Sequence, residues 1–527
     1  MMYLLDTLSA EYYQPSSHRS HVTVANARSH AAQTMREMAL YTLLQLRASC
    51  RIQCCAQQEH VNSLCDWITA SGGSLSAVRV AEVDGMRGVV LASKPSLLSM
   101  ELFRVPSALA MSDVAEEMLE TPIGAAIGRT GLALLQPDAR LALRLLHEGS
   151  RGSCSPWADY IAILPRHVGC ARHLSDDCLL ACGSDFVVQQ ALRARKYAGS
   201  VRASLARLVG EEASGRALMS ELDEERLGWA LDMVHSRSFS VDIGTRGVAR
   251  LMVPFLDLLN SNPTAPTCSF TYDDTDVPPS FAVDLLAPAV ERPLPAVGTE
   301  QVFLDYGPQT SEELLLMYGF VPPVPTPCDS ITLLGAYAPE DLAAAMAAAE
   351  EAEGSVAAAL LQQEKLALLA SCRYGPPRQF ELASRRLNPA IICALRLALL
   401  TRQELDGECG GSWNRPLAHA PVCLANERRV ALALLARLER MLERESTTLE
   451  HDRALLAGRA GDEGVDDEDG MLDDLRPAIM LRANRKQVIT ECTARLGQFV
   501  AATDAGEATS DNLLDYFEDY MPSIRLT

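Results

Sequence analysis

Three short stretches near the middle of the chain carry side chains suited to chemistry. Ser236-Arg237-Ser238-Phe239 sets a guanidinium beside an aromatic ring. Val253-Pro254 is followed by Asp257, Asn260 and Ser261, which bring a carboxylate, an amide and a hydroxyl into one short stretch. Gln301–Tyr306 is apolar enough to predict a strand, and Tyr306 ends it just before a Gly307-Pro308 turn. A tyrosine so placed is held by the sheet and can project into a pocket, because the turn that follows is not part of the sheet. Its hydroxyl can orient a nucleophile, and an arginine can pair with a carboxylate. Read alone, Tyr306 is equally a ring packed at a sheet edge, and Arg237 with Asp257 equally a structural ion pair.

The order and spacing of the three stretches are more specific. They resemble the SET-domain methyltransferases of the Rubisco large-subunit methyltransferase type, a group that includes the actin-histidine methyltransferase. That family carries a Ser-Arg-x-Phe-like element, a VPxxDxxNH element, and a G-E-x-V-F-x-x-YG element closed by YGF. The matching positions are Ser236 to Phe239, Val253 to Asn260, Gly298 to Gly307, and Tyr318-Gly319-Phe320. The resemblance implies an α+β fold: a β-rich SET domain with a helical insert, followed by an all-helical C-terminal domain. It also implies S-adenosylmethionine as cofactor and a protein substrate.

Methyl transfer from that cofactor needs a held sulfonium, a deprotonated amine or imidazole, and a dry channel aligning the two. Burial against apolar walls lowers a lysine's pKa and so favours its neutral form. On this resemblance Tyr306 is the catalytic tyrosine and also borders the cofactor. Ser236, Arg237, Asp257, Asn260 and Ser261 are the remaining cofactor-side positions of the central motifs. The family's acidic-Gly-apolar-Gly turn maps to Asp84 and Met86 in Asp84-Gly85-Met86-Arg87-Gly88, with Arg87 as one extra residue. Phe239 and Tyr318 fall on the substrate side. Phe239 stands where lysine-modifying members have an aromatic, and an apolar wall suits an aliphatic stem.

Two positions depart from the pattern. Ser261 replaces the motif histidine, and Ser311 replaces the asparagine of a Ser-Asn pair after YG. A serine lacks the stacking area of an imidazole ring. The reading is therefore a lysine methyltransferase acting on a non-histone protein. A protein-binding scaffold without activity and a histidine methyltransferase are the alternatives.

Composition sets the surroundings. The 527 residues are enough for two or three domains, and 48% hydrophobic with 22% charged is an ordinary globular balance. A net charge of −21 argues against a nucleic-acid surface and favours basic protein partners. The absence of a long apolar run predicts no membrane span, and nothing signals assembly beyond a monomer. The fifteen cysteines include only two close groups, Cys50 with Cys54 and Cys55, and Cys178 with Cys182. Neither makes paired knuckles, so no metal is expected, and reduced buried thiols are the better reading. The resemblance agrees, since a helical domain rather than a zinc-binding cysteine cluster follows the YG tyrosine in this branch.

In chain order, residues 1–58 form an acid-poor extension in which Met35–Arg51 fits an amphipathic helix. A cytoplasmic or nuclear protein is expected, with a mitochondrial address left open by that composition. Residues 59–320 read as the SET domain, opening with a helix that carries Trp67 and is stopped by Gly72-Gly73. A helical insert covers about 120–230, where Ser155, Trp157, Tyr160, Ile161, Leu164 and Pro165 form a family-like phrase read as core packing. Four prolines in VPPVPTP, Val321 to Pro327, mark the domain boundary. Residues 328–510 read as the helical substrate-binding domain. One helix face is marked by Val430, Leu434, Leu438 and Met441, another by Val488, Cys492, Leu496 and Phe499. The acidic run Asp462–Asp474 fails the calcium-loop pattern and reads as a solvated loop.

Overall fold

The computed structural model describes residues 57–94, 100–210, 213–244, 247–287, 294–334, 379–383, 386–407, 420–458, 471–508 and 512–517. The chain divides into Met1–Leu64 and Cys65–Thr527. In the first unit only 57–64 is described, and it is helical. The expected N-terminal helix, Cys50, Cys54 and Cys55 lie outside the described residues.

The second unit begins with a helical segment that carries Trp67 and gives way to a turn at Gly72, where φ is 93°. A hairpin follows, β1 (Val78–Val83) and β2 (Met86–Leu91), paired in register from Val78↔Leu91 to Val83↔Met86. Its turn is Asp84-Gly85 alone, with φ of 52° and 75°. An Asp-Gly pair with both φ positive is the favoured two-residue hairpin turn, because its twist matches that of the strands. Met86 and Arg87 are therefore strand residues, not part of the turn that the spacing suggests.

Next come β3 (Glu101–Pro106) and β4 (Met111–Ser112), then the helical insert. Its helices include α1 (Pro122–Leu134), α2 (Pro137–Ser150), α3 (Ala158–Ile163), α4 (Asp185–Val209) and α5 (Glu224–Arg237). The starts of α1, α4 and α5 are set by the side chains of Thr121, Ser184 and Asp223, each accepting from a backbone N–H of the first turn.

The strands after the insert are β5 (Ser238–Asp242), β6 (Val248–Met252), β7 (Asn260–Ser261), β8 (Cys268–Asp273), β9 (Ser280–Leu285) and β10 (Phe303–Leu304). They form two sheets, β3-β9-β8-β10-β7 and β4-β6-β5. β10 runs parallel to both β7 and β8, with Phe303↔Asn260 and Leu304↔Cys268 among its partners. A late strand thus slots between two earlier ones and runs in the same direction as both.

α6 (Ser311–Tyr318) then starts on a reciprocal capping box between Thr310 and Glu313, and ends at Gly319 in the left-handed conformation. Gly319 has φ of 79°, and a Cβ there would lie 2.5 Å from the Gly169 carbonyl carbon and 2.8 Å from the Cys170 nitrogen. Both neighbours are backbone and cannot swing aside. Gly319→Ala is expected to lose at least about 2 kcal/mol, combining the left-handed cost with that clash. A lowered urea midpoint at unchanged slope checks it.

Beyond the prolines, a two-stranded antiparallel sheet precedes the helices: β11 (Ser330–Leu334) with β12 (Gln379–Ala383). An all-helical domain was expected there, and the hydrophobic periodicity does not signal these strands. Helices α7 (Pro389–Ala398), α8 (Leu424–Glu443), α9 (Leu449–Leu456) and α10 (Met471–Ala505) make up the rest of the regular core. Val430, Leu434, Leu438, Val488, Cys492, Leu496 and Phe499 all enter one buried cluster, with Met441 packed on its edge. Within that domain Arg396 and Glu427 form a fully buried ion pair, joined by Asn512.

The two regions are tied by polar groups. The backbone N–H and the hydroxyl of Ser311 both donate to Asp329, at 2.5 Å each, and Asn484 of α10 donates to the Ser311 hydroxyl and to the Pro322 carbonyl. Of the acidic run, only 471–474 is described, and it opens α10 rather than continuing a loop. Cys178 and Cys182 are both buried, and neither forms a disulfide. Among the described residues no helix is long and apolar enough to cross a membrane.

Candidate active site

Asp257 lies at the centre of the buried polar group. It sits on a short 3-10 turn, Leu256–Leu258, introduced by Phe255 with φ of 71°. A bulky residue in that region costs on the order of 1–2 kcal/mol. The strain is offset by complete burial of the ring, which meets Phe103 edge-on at 5.1 Å. The turn points the Asp257 carboxylate inward, where its Oδ2 accepts from Arg237 at 3.1 Å and from the Tyr160 hydroxyl at 3.0 Å. Arg237 also donates to the Asp257 backbone carbonyl.

Burial pushes the Asp257 carboxyl above its usual range, although Arg237 pulls the other way. Burial lowers the Arg87 guanidinium, and the neighbouring charge of Arg237 lowers it further. The group thus holds two guanidiniums against one carboxylate. That is an excess of positive charge taken out of water.

Polar atoms left without partners concentrate here. Among the described residues six buried side-chain N or O atoms lack any hydrogen bond, and three of them belong to these motifs: Arg237 Nε, Asp257 Oδ1 and Ser261 Oγ. Native proteins rarely leave such atoms orphaned, so a cluster of them points to a bound group. Arg237 Nε supplies a donor for a carboxylate, and Asp257 Oδ1 an acceptor for an ammonium. An amino-acid-like ligand end fits that pair.

Tyr306 follows β10, and its side chain reaches back to Leu259, the residue before β7. Its hydroxyl donates to the Leu259 carbonyl at 2.7 Å. Burial drives its pKa well up, so the phenol stays protonated. Its ring meets that of Tyr318 at a tilt of 38° with centroids 4.7 Å apart, and Tyr318 in turn meets Phe320 at 6.4 Å. Asn260 is engaged through its amide, which donates to the Arg87 carbonyl and to Gln301 Oε1. Gly88 must be glycine for this, since a Cβ there would lie 2.1 Å from Gln301 Oε1 and 3.0 Å from Asn260 Nδ2.

The remaining residues singled out in the sequence are placed as follows. Ser236 donates back to the Asp232 carbonyl of its own helix, so its side chain serves α5. Phe239 meets Phe270 of β8 edge-on at 5.1 Å. Asp84 and Met86 are exposed at the tip of the first hairpin. Ser311 is committed to the tie between the region before the proline-rich boundary and the helical region after it.

Two residues of the site carry other roles in the sequence reading. There Tyr160 belongs to core packing, and Arg87 is an extra residue in a turn. A tyrosine on an apolar helix face needs a partner for its hydroxyl, and that need is the available signal for Tyr160. Nothing local marks Arg87. A further cluster, Cys170, His173 and Asp232, has ligand atoms within 4.8 Å of one another. Arg172 already occupies both Asp232 oxygens, at 2.6 and 2.5 Å, which puts a cation where a metal ion would bind.

Residues 357–489 match the family model described as Rubisco LSMT substrate-binding. Among curated proteins the chain is similar to the [fructose-bisphosphate aldolase]-lysine N-methyltransferase, chloroplastic, of Arabidopsis thaliana, 27% identical over 190 residues. That match spans 36% of this chain and 38% of the relative's length. Among solved structures it is similar to the SET domain of LSMT bound to lysine and AdoHcy, with a TM-score of 0.55 and 20% identity over 85% of this chain and 93% of that one. Rubisco LSMT bound to AdoMet gives a TM-score of 0.53 at 19% identity over 85% and 93%. The fold is therefore that of a Rubisco LSMT-type SET domain followed by a helical region. The resemblance carried by the central motifs thus extends to a likeness of fold over 85% of the chain.

Proposed function

We propose that this chain is an S-adenosylmethionine-dependent lysine N-methyltransferase acting on a non-histone protein held by the helical C-terminal domain. The observation that carries the reading is the buried group at Arg87, Arg237, Asp257 and Ser261, positive in sum and holding unpartnered donor and acceptor atoms. Those residues would hold the amino-acid end of the cofactor, Arg237 taking its carboxylate. When bound, the cofactor supplies a methyl group on a sulfonium sulfur, open to displacement by a neutral amine.

The chain's own residues do the rest. Tyr306 presents a neutral phenol oxygen, fixed by its bond to Leu259, at the edge of the aromatic pair with Tyr318. Such an oxygen can accept weak C–H contacts from a polarised methyl and orient an incoming amine. The Phe239–Phe270 pair supplies an apolar wall, which favours an aliphatic stem ending in an uncharged amine over an imidazole. One relative named above is a lysine N-methyltransferase by name and one of the structures was solved with lysine bound, which supports the same choice of residue. The net charge of −21 favours a basic substrate protein.

A second reading, a SET fold kept for protein binding alone, rests on Ser261, whose hydroxyl is buried without a partner where the family has a histidine. Calorimetry with S-adenosylmethionine separates the two. One-to-one binding that weakens about 10- to 100-fold in Arg237→Met is expected, the worth of a charge-assisted hydrogen bond. No binding by the folded wild type at millimolar cofactor would sink the enzyme reading and leave the scaffold.

A further inference from the structure

The phrase around Tyr160 does more than fill the core. Its helix, α3, is flanked by two indole N–H bonds: Trp157 donates to the Leu109 carbonyl at 2.8 Å, and Trp229 of α5 donates to the Pro165 carbonyl at 3.0 Å. α5 is the helix that ends at Arg237. Two groups of α3 face the buried polar group. The Tyr160 hydroxyl donates to Asp257 Oδ2, and the Ile163 carbonyl accepts from Arg87 Nη2 at 2.7 Å. Tyr160 is fully buried, and burial with the neighbouring Asp257 charge pushes its pKa up, so the hydroxyl stays a donor.

Arg237 meets Asp257 differently from other arginines of this chain. Arg172 and Arg396 grip Asp232 and Glu427 with the Nε–Nη2 edge, one nitrogen to each carboxylate oxygen. Arg428 holds Asp504 in the same fork. Arg237 instead approaches with Nη1 alone, which donates to Asp257 Oδ2 and to the Asp257 carbonyl. Its Nε is buried without a hydrogen bond, and so is Asp257 Oδ1. A carboxylate free to turn would offer both oxygens to the Nε–Nη2 edge and close the stronger two-point pair. Asp257 is not free to turn, because Oδ2 is also held from α3 by Tyr160.

We propose that Tyr160 is a positioning residue of the cofactor site: its bond to Oδ2 keeps Asp257 from closing a two-point pair with Arg237, and so leaves the Nε–Nη2 edge of Arg237 open for the carboxylate of the cofactor's amino-acid end. The inference rests on the cofactor reading above and assigns a task within it to a residue of the helical insert. The open arrangement leaves Arg237 Nε and Asp257 Oδ1 unpartnered, and a ligand end with a carboxylate and an ammonium satisfies both.

The test is calorimetry on the full chain with two ligands, S-adenosylhomocysteine and methylthioadenosine, which lacks the amino-acid end. Tyr160→Phe keeps the ring and removes only the hydroxyl. It is expected to weaken S-adenosylhomocysteine about 10-fold and to leave methylthioadenosine within about twofold. In an Arg237→Met background the same change should weaken neither ligand further, because the tyrosine acts through that arginine. A merely structural tyrosine would weaken both ligands alike or neither, and either result overturns the proposal. So does a further loss in the Arg237→Met background. A crystal structure of the wild type with S-adenosylhomocysteine needs no variant to fold. The ligand carboxylate is expected on Arg237 Nε and Nη2 with Tyr160 still bonded to Oδ2, and a carboxylate bound elsewhere overturns the proposal. The two readings fail separately. A wild type that binds neither ligand sinks the cofactor site and this role with it. A wild type that binds S-adenosylhomocysteine, with no loss in Tyr160→Phe, sinks the positioning role alone.

Discussion

Tyr306→Phe is expected to slow methyl transfer by about 10²- to 10³-fold while leaving cofactor affinity within about twofold. The substitution removes one oxygen and little else. The phenol is buried, protonated and bonded to the Leu259 carbonyl, so its position is set before any substrate arrives. Its loss frees that carbonyl, at a cost of about 1 kcal/mol in stability, and leaves the ring packed against Tyr318. A structural role would show as a lower melting temperature with transfer per folded molecule unchanged. A catalytic role shows as a fall in kcat with KM and stability nearly constant, measured by single-turnover transfer from labelled cofactor. Transfer within about threefold of wild type by a folded Tyr306→Phe protein would remove this residue from the mechanism.

The second large effect falls on stability. Asp257→Ala is expected to destabilise the fold by about 3–5 kcal/mol, because it leaves Arg237 buried beside Arg87 with no carboxylate between them. The Tyr160 hydroxyl loses its acceptor in the same step. The double change Arg237→Met with Asp257→Leu removes both charges and should recover most of that loss, since a buried pair is often replaceable by apolar groups of similar size. A double-mutant cycle in urea measures the coupling. If Asp257→Ala unfolds at the wild-type midpoint, the pair is not a structural element and its geometry must be explained by ligand binding alone. Neither the double variant nor Asp257→Ala should bind cofactor.

Much of this protein is legible in its sequence. The register of Ser236 to Phe239, Val253 to Ser261, Gly298 to Gly307 and Tyr318 to Phe320 points to a SET fold, and the fold is of that type. Periodicity places Val430, Leu434, Leu438, Val488, Cys492, Leu496 and Phe499 in a core, and all are buried. These are local signals. Which face of a helix is apolar, where Asp-Gly turns a hairpin and where Gly319 ends a helix are decided by neighbours a few residues away.

Tertiary structure alone decides who meets whom. Tyr160 and Asp257 are 97 residues apart, and Arg87 lies farther still from the charges it faces. Asp84 and Met86, chosen by a motif, stand exposed, while Arg87 one position on turns inward, since successive strand residues point to opposite faces. Ser311, a departure from the motif in the sequence, is the knot between Asp329 and Asn484 in the fold. A hydrophobic pattern tells that a side chain is buried but carries no address for its partner. That address comes from β10 slotting between β7 and β8, a pairing of residues far apart in the chain that brings the Tyr306 side chain within reach of the Leu259 carbonyl.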